Sequence, residues 1–308
     1  MNILARNIRS QRINAVRKTN FCPFGKVAIF AAVMSLTSCV KDDLYNTPHP
    51  DKGAVVITTD WTEALAESTV PDTYLLRMDD GKAVQASGET TVCPDLLTPG
   101  AHTLLIYNEP EGITIADDAA TVQQKDGMLI PLPGYLFSAE ADLNVVQDDT
   151  LRVTVPMQRR LCPIILNLDL NGENADEIAK IEATLSGMAG SVDLRTGTRG
   201  GESLTARLDV REAEAKTRAT EAVALEMKCR VTGTAQGERQ ILTVKVTMED
   251  GYVSTITSDL TEHLKDLNAD MEPVRLEGSV EAPQDGHFSG TIENWQPGNG
   301  GGEDVDIR

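Results

Sequence analysis

The residue best placed for covalent chemistry is the cysteine of Ser35-Leu36-Thr37-Ser38-Cys39-Val40-Lys41-Asp42-Asp43, where an apolar run ends and charge begins at once. Its thiol is the nucleophile in that stretch suited to accept a diacylglycerol, and small residues before it leave room for a peptidase. Elsewhere the search for reactive groups returns little. His49, His102, His263 and His287 show no zinc-ligand pairing such as H-E-x-x-H. The chain has no G-x-S-x-G elbow and no G-x-x-x-x-G-K-[ST] phosphate loop, and Gly197-Thr-Arg-Gly-Gly201 reads as a turn-rich loop. Asp169-Leu-Asn-Gly-Glu-Asn174 is rich in oxygen but has its glycine fourth, where a calcium loop needs it sixth. Asp79-Asp80, Asp117-Asp118 and Asp148-Asp149 are adjacent carboxylates, and a glycosidase needs two carboxyls separated across a cleft. They read as solvated loops. The expectation is a protein without catalytic residues, metal or cofactor.

What precedes Cys39 has the layout of a secretion leader. Residues 1–38 carry Arg6, Arg9, Arg12, Arg17, Lys18 and Lys26 and no acid, followed by an apolar segment from Val27 to Leu36. That segment is about half of the roughly 20 residues a helix needs to cross a bilayer. Leu36-Thr37-Ser38-Cys39 resembles the bacterial lipobox, which makes Cys39 the lipidated first residue of the mature chain; an ordinary signal peptide with an incidental cysteine is the other reading. At about 0.8 kcal/mol per buried methylene one acyl chain binds marginally, whereas two or three hold firmly. Lys41, Asp42 and Asp43 are similar to the signal that exports Bacteroidales lipoproteins to the outer face of the outer membrane. A solvated charged tether would read the same way.

Without its leader the chain carries a net charge of −25, which repels phosphate backbones and excludes nucleic acid as a partner. Its length predicts two domains, each able to bury a core. Cys93, Cys162 and Cys229 remain after Cys22 leaves with the leader. Cys229 continues the alternating apolar face of Val223, Leu225, Met227 and Val231, which points to a buried free thiol, with one disulfide among the three as the alternative.

The elements that would position any site are short and β-prone. After an irregular tether over 39–52, strands are predicted at Ala54–Trp61, Thr73–Met78, His102–Tyr107, Gly112–Ile115 and Leu151–Met157. A second series covers Ile164–Leu170, Ile181–Leu185, Leu204–Val210, Val223–Val231, Ile241–Met248 and Val274–Val280. Leu260, Leu264 and Leu267 at i, i+4 and i+7 predict a short connecting helix over Asp259–Leu267, capped by Ser258. The expected architecture is all-β, with two antiparallel β-sandwiches over 53–158 and 159–297 that meet at Gln158–Arg160. A Gly-rich tail occupies 298–308. Trp61 and Trp295 each end a strand-like segment, so they are expected in packing roles and not as sugar platforms.

Several stretches resemble the Bacteroidales fimbrial anchor-subunit lipoproteins: Cys39-Val-Lys-Asp-Asp-Leu-Tyr45, His49-Pro-Asp-Lys-Gly53, Thr59-Asp60-Trp61, Pro99-Gly100 through Asn108, Pro133-Gly134-Tyr-Leu-Phe137, Leu185-Ser-Gly187, Asp259-Leu-Thr261 and Ile292-Glu-Asn-Trp295. The resemblance spans nearly all of 39–297. It implies tandem transthyretin-like sandwiches, attachment to the outer membrane through lipid on Cys39, and a place at the base of a surface fimbria, with fimbrial shaft subunits as partners. Such subunits join by exchange of a strand, the logic of β-augmentation. Val305 and Ile307 alternate beyond the hinge Gln296–Gly302 and are candidates for contacting a shaft subunit, although a disordered terminus fits as well. A glycan- or host-binding surface lipoprotein on the same scaffold is the competing function.

Overall fold

A computed structural model describes residues 51–65, 68–171, 177–212, 222–281, 290–292 and 295–298. All belong to a compact unit that begins at His49. The first strands are β1 (Ala54–Asp60), β2 (Thr73–Met78), β3 (Val84–Ser87), β4 (Thr90–Val92) and β5 (Gly100–Tyr107). Two small hairpins follow, β6 (Ile113–Ala116) with β7 (Ala119–Val122) and β8 (Gln124–Lys125) with β9 (Met128–Leu129). Then come β10 (Phe137–Val145), β11 (Thr150–Pro156), β12 (Gln158–Arg159), β13 (Cys162–Asn171), β14 (Ile178–Asp193), β15 (Arg199–Arg207) and β16 (Asp209–Glu212). The chain continues through β17 (Ala222–Val231), β18 (Ile241–Met248), β19 (Val253–Asp259), the helix α1 (Leu267–Asp270), β20 (Val274–Glu281), β21 (Gly290–Thr291) and β22 (Gln296–Pro297).

The protein is all-β, as the strand patterning predicts. A three-stranded sheet β11-β1-β4 faces the five-stranded sheet β12-β10-β5-β2-β3 across a smaller core that includes Val55, Ile57, Leu76, Leu104, Ile106, Phe137 and Met157. The five-stranded sheet β16-β17-β13-β20-β22 and the long sheet running from β21 through β19, β18, β14, β15 and β9 to β8 enclose a larger core. Alternation makes these layers: β1 buries every second residue, Val55, Ile57 and Thr59, against its partner sheet. Most pairings are antiparallel, but β1 runs parallel to β11 from Ala54↔Thr150 to Asp60↔Pro156, and β13 runs parallel to β20.

β5 is buried on both faces, which explains why His102-Thr-Leu-Leu-Ile-Tyr107 reads as a nearly unbroken apolar run. Leu104 and Ile106 point into the smaller core, and Leu105 and Tyr107 into the larger one. The hairpin of β6 and β7 also crosses over, because β7 pairs with β14 through Thr121↔Ser191 and Ala120↔Val192.

The helix expected over Asp259–Leu267 is corrected. Asp259 ends β19, turns follow, and α1 occupies only Leu267–Asp270. Leu260, Leu264 and Leu267 are buried as their spacing requires, yet only one helical turn, Leu264 N to Leu260 O at 3.0 Å, bridges the first two. Ser258 is not an N-cap: its hydroxyl donates to Ile292 O at 2.5 Å and accepts from Trp295 Nε1 at 2.9 Å inside the larger core. Cys93, Cys162 and Cys229 are free thiols. Burial, and then the neighbouring Cys162, push the Cys229 thiol up to about 12, so it stays protonated and unreactive.

Candidate functional site

The residues singled out for lipidation, export and partner binding, Cys39, Lys41, Asp42, Asp43, Val305 and Ile307, lie outside the described residues. So does most of the candidate calcium loop, of which Asp169 to Asn171 belong to β13. The adjacent carboxylates are turn residues: Asp79, Asp117 and Asp148 all take positive φ, a conformation that Asp tolerates better than most side chains. Asp79 accepts from His102 Nδ1 at 2.8 Å and from Thr103 N at 2.9 Å, which, in that order, hold its carboxyl below the usual range. No group of three or more potential metal ligands occurs among the described residues, and no helix among them is long and apolar enough to cross a membrane.

Arginines form a seam between the strands of the two cores. Arg159 and Arg160, which sequence places at a boundary, are buried. Arg159 donates to Glu63 O at 3.0 Å and to Met271 O at 2.5 Å. Arg160 donates through Nε to Ser138 Oγ at 2.6 Å and through Nη2 to Leu194 O at 3.3 Å. Its charge rests on neutral oxygens, so burial, with repulsion from Arg199, lowers its pKa to about 10 against the opposing pull of Asp193. The guanidinium stays protonated at neutral pH. Gly197 makes room for it: at φ 72°, an added Cβ would stand 2.3 Å from Arg160 Nη1. Closer to the surface, Arg195 donates to Asp118 Oδ2 at 2.7 Å and Glu140 Oε1 at 2.5 Å, and Asp118 also pairs with Arg77. Arg230 of β17 donates to Pro133 O at 2.6 Å and lies 4.1 Å over the Tyr135 ring.

Beside this seam two grooves open on either side of Val70-Pro71-Asp72, with volumes of about 670 and 740 Å³. Tyr135, Arg230 and Glu109 line the first; Trp61, Asp60 and Glu89 line the second. Trp61 is held from behind, edge-on to Phe137 at 5.4 Å and tilted to Tyr74 at 6.0 Å, and its indole N–H donates to Thr59 Oγ1 at 2.9 Å. Trp295 is buried in the larger core. Sequence missed these grooves because their walls combine strand residues of β1, β2, β3, β11 and β17 with loops at 61–62, 69–72, 108–110 and 134–135, which share no local pattern.

The fold has solved counterparts. A crystal structure described as a candidate adhesin from Bacteroides ovatus shares 9% identity and superposes with a TM-score of 0.57, covering 82% of this chain and 93% of that one. Another from the same species shares 17% identity at a TM-score of 0.54, covering 80% and 94%. The fimbrial anchor protein Mfa2 from Porphyromonas gingivalis shares 12% identity at a TM-score of 0.52, covering 80% and 96%. What they share with this chain is its fold. No curated protein is matched by the chain's sequence. The family model of the fimbrillin-A associated anchor proteins Mfa1 and Mfa2 matches residues 51–293, a span that runs through both cores, and the chain belongs to that family.

Proposed function

We propose that the chain is a non-enzymatic, lipid-anchored subunit of cell-surface fimbriae that fixes the filament to the outer membrane and aids its assembly or length control. Membership of the anchor family over residues 51–293 carries this reading. Cys39 takes the lipid, Lys41-Asp42-Asp43 directs export to the outer face, and fimbrial shaft subunits are the partners. A filament under shear needs an end that cannot diffuse away, and two or three acyl chains on one cysteine supply it. Val305 and Ile307 contact the first shaft subunit by adding a strand.

The test compares fimbriae on cells with fimbriae in the medium for wild type and Cys39→Ala, after checking that the variant is exported. Filaments shed into the medium support the anchor role. Filaments that stay cell-bound in the variant, or that form in neither strain, remove it. A chain truncated from Gly298 onward tests the tail, and anchoring retained without it excludes Val305 and Ile307 as partner contacts.

A further inference from the structure

We propose that the two adjoining grooves form one trench that binds a neutral oligosaccharide. The grooves share Val70, Pro71 and Asp72 as a common rim, so a single extended ligand that crosses this segment reaches both, and their combined space suits a short chain of sugar rings. Each groove offers one partly exposed aromatic side chain, Tyr135 in the first and Trp61 in the second. Both are held: Arg230 over the Tyr135 ring and Phe137 against Trp61 fix the two aromatics before any ligand arrives. An apolar sugar face packs on such rings, and pre-set rings lose little freedom on binding.

The polar groups fit the same ligand. Asp72, Gln85, Glu109 and Tyr135 line the first groove, with Asp72, Gln85 and Glu109 exposed. Planar carboxylates and amides take the paired hydroxyls of a sugar, whereas a purely apolar ligand would leave them dry and unpaired. Charge sets the class further. Asp60, Asp72, Glu89 and Glu109 line the trench against Arg230, whose guanidinium is already engaged with Pro133 O and Tyr135. An acidic saccharide or a nucleic acid would therefore be repelled. This site is independent of the anchoring role, since it needs neither lipid nor a shaft subunit.

The test uses the full chain carrying Cys39→Ala, so that no lipid interferes, and NMR saturation transfer to neutral tetrasaccharides of the gluco, manno, galacto and xylo series at about 5 mM, a concentration that detects affinities weaker than millimolar. Transfer is expected to at least one series. Asp72→Asn and Glu109→Gln, both exposed and remote from the cores, are each expected to weaken it about tenfold, the worth of a hydrogen bond to a charged acceptor. Trp61→Ala is expected to abolish it, with circular dichroism confirming the fold. No transfer to any series overturns the proposal. So does binding that all three variants leave unchanged, or a preference for an acidic tetrasaccharide.

Discussion

The smaller and the larger core are both closed by facing sheets, but they differ in what they need from outside themselves. The larger core takes most of its strands from the chain after residue 161, with the hairpins β14–β15 and β18–β19 facing β13 and its partners β17 and β20, and it borrows side chains from β5, β6, β7 and β9. The smaller one rests on a three-stranded sheet whose central strand, β1, meets β11 only after some 90 residues of intervening chain. Its main strand β5 gives its other face to the larger core, and Arg159 and Arg160 fasten its loops to Met271 and Leu194. Both cores borrow from each other, and the comparison makes the smaller one, with fewer buried residues of its own, the more dependent of the two.

Each core has its own reporter, Trp61 beside the smaller and Trp295 within the larger. Single-tryptophan versions made with Trp→Phe can therefore follow the two separately. The largest expected effect is that of Phe137→Ala, which empties a fully buried site under Trp61 and should cost about 3–5 kcal/mol. The Trp61 transition should move to lower denaturant while the Trp295 transition stays nearly in place. Leu166→Ala, at the centre of β13, should cost about 2–5 kcal/mol and carry both transitions down together. Equal shifts of both reporters in Phe137→Ala would end the idea of a dependent core.

Arg160→Met tests the seam that joins them. It keeps the stem but leaves Ser138 Oγ and Leu194 O without their charged donor, an expected loss of about 1–3 kcal/mol. Urea titration should then show the two tryptophans unfolding further apart. Gly197→Ala attacks the same contact from the other side, with about 1–2 kcal/mol for the left-handed backbone and more for the contact with the guanidinium. In the Arg160→Met background only the backbone part should remain, a coupling that a double-mutant cycle reads directly.

Much of this architecture is legible in the residues. The bounds of β2 and β18 match the sequence reading, and β13 and β17 follow from their alternation with one to three further residues at the ends. One missed strand has a mostly polar buried face. β19 turns Ser254, Ile256 and Ser258 inward, so no hydrophobic period marks it, and Ser258 is paid for by bonds to Ile292 and Trp295 that lie far along the chain. β10 alternates cleanly, with Phe137, Ala139, Ala141, Leu143 and Val145 against Glu140, Asp142 and Asn144, but its two alanines make the apolar face small, and its place in the sheet is set by pairing with β5. In the segment after β19, leucine spacing reads as a helix, whereas turns bring the same side chains inward. Arg159 and Arg160 look like surface residues in sequence, and only the carbonyls of distant loops make their burial possible. The grooves are illegible for the same reason: strands and loops far apart in sequence build them.

The smallest expected effect lies at the rim of the dependent core. His102 Nδ1 is 2.8 Å from Asp79 Oδ2 and Nε2 is 2.8 Å from Thr98 O, so both ring nitrogens face acceptors and both can donate only when the ring is protonated. The Asp79 contact first, and then the Thr98 carbonyl, raise the His102 pKa above its ordinary value of about 6.5. The folded value exceeds the unfolded one, so the bridge contributes in full below pH about 6.5 and its contribution is lost as pH rises through the folded value. For Asp79 the sign reverses: its lowered pKa stabilises the fold above its ordinary value and loses that contribution in acid. The Asp79 side chain is half exposed, so solvent screening keeps the gain small. Thermal unfolding followed at Trp61 should show a modest decline in stability across neutral to mildly alkaline pH, which His102→Gln flattens. Trp295 should report the same curve in both proteins. A pH slope that survives His102→Gln at Trp61 would assign it to another group and leave this turn as neutral packing.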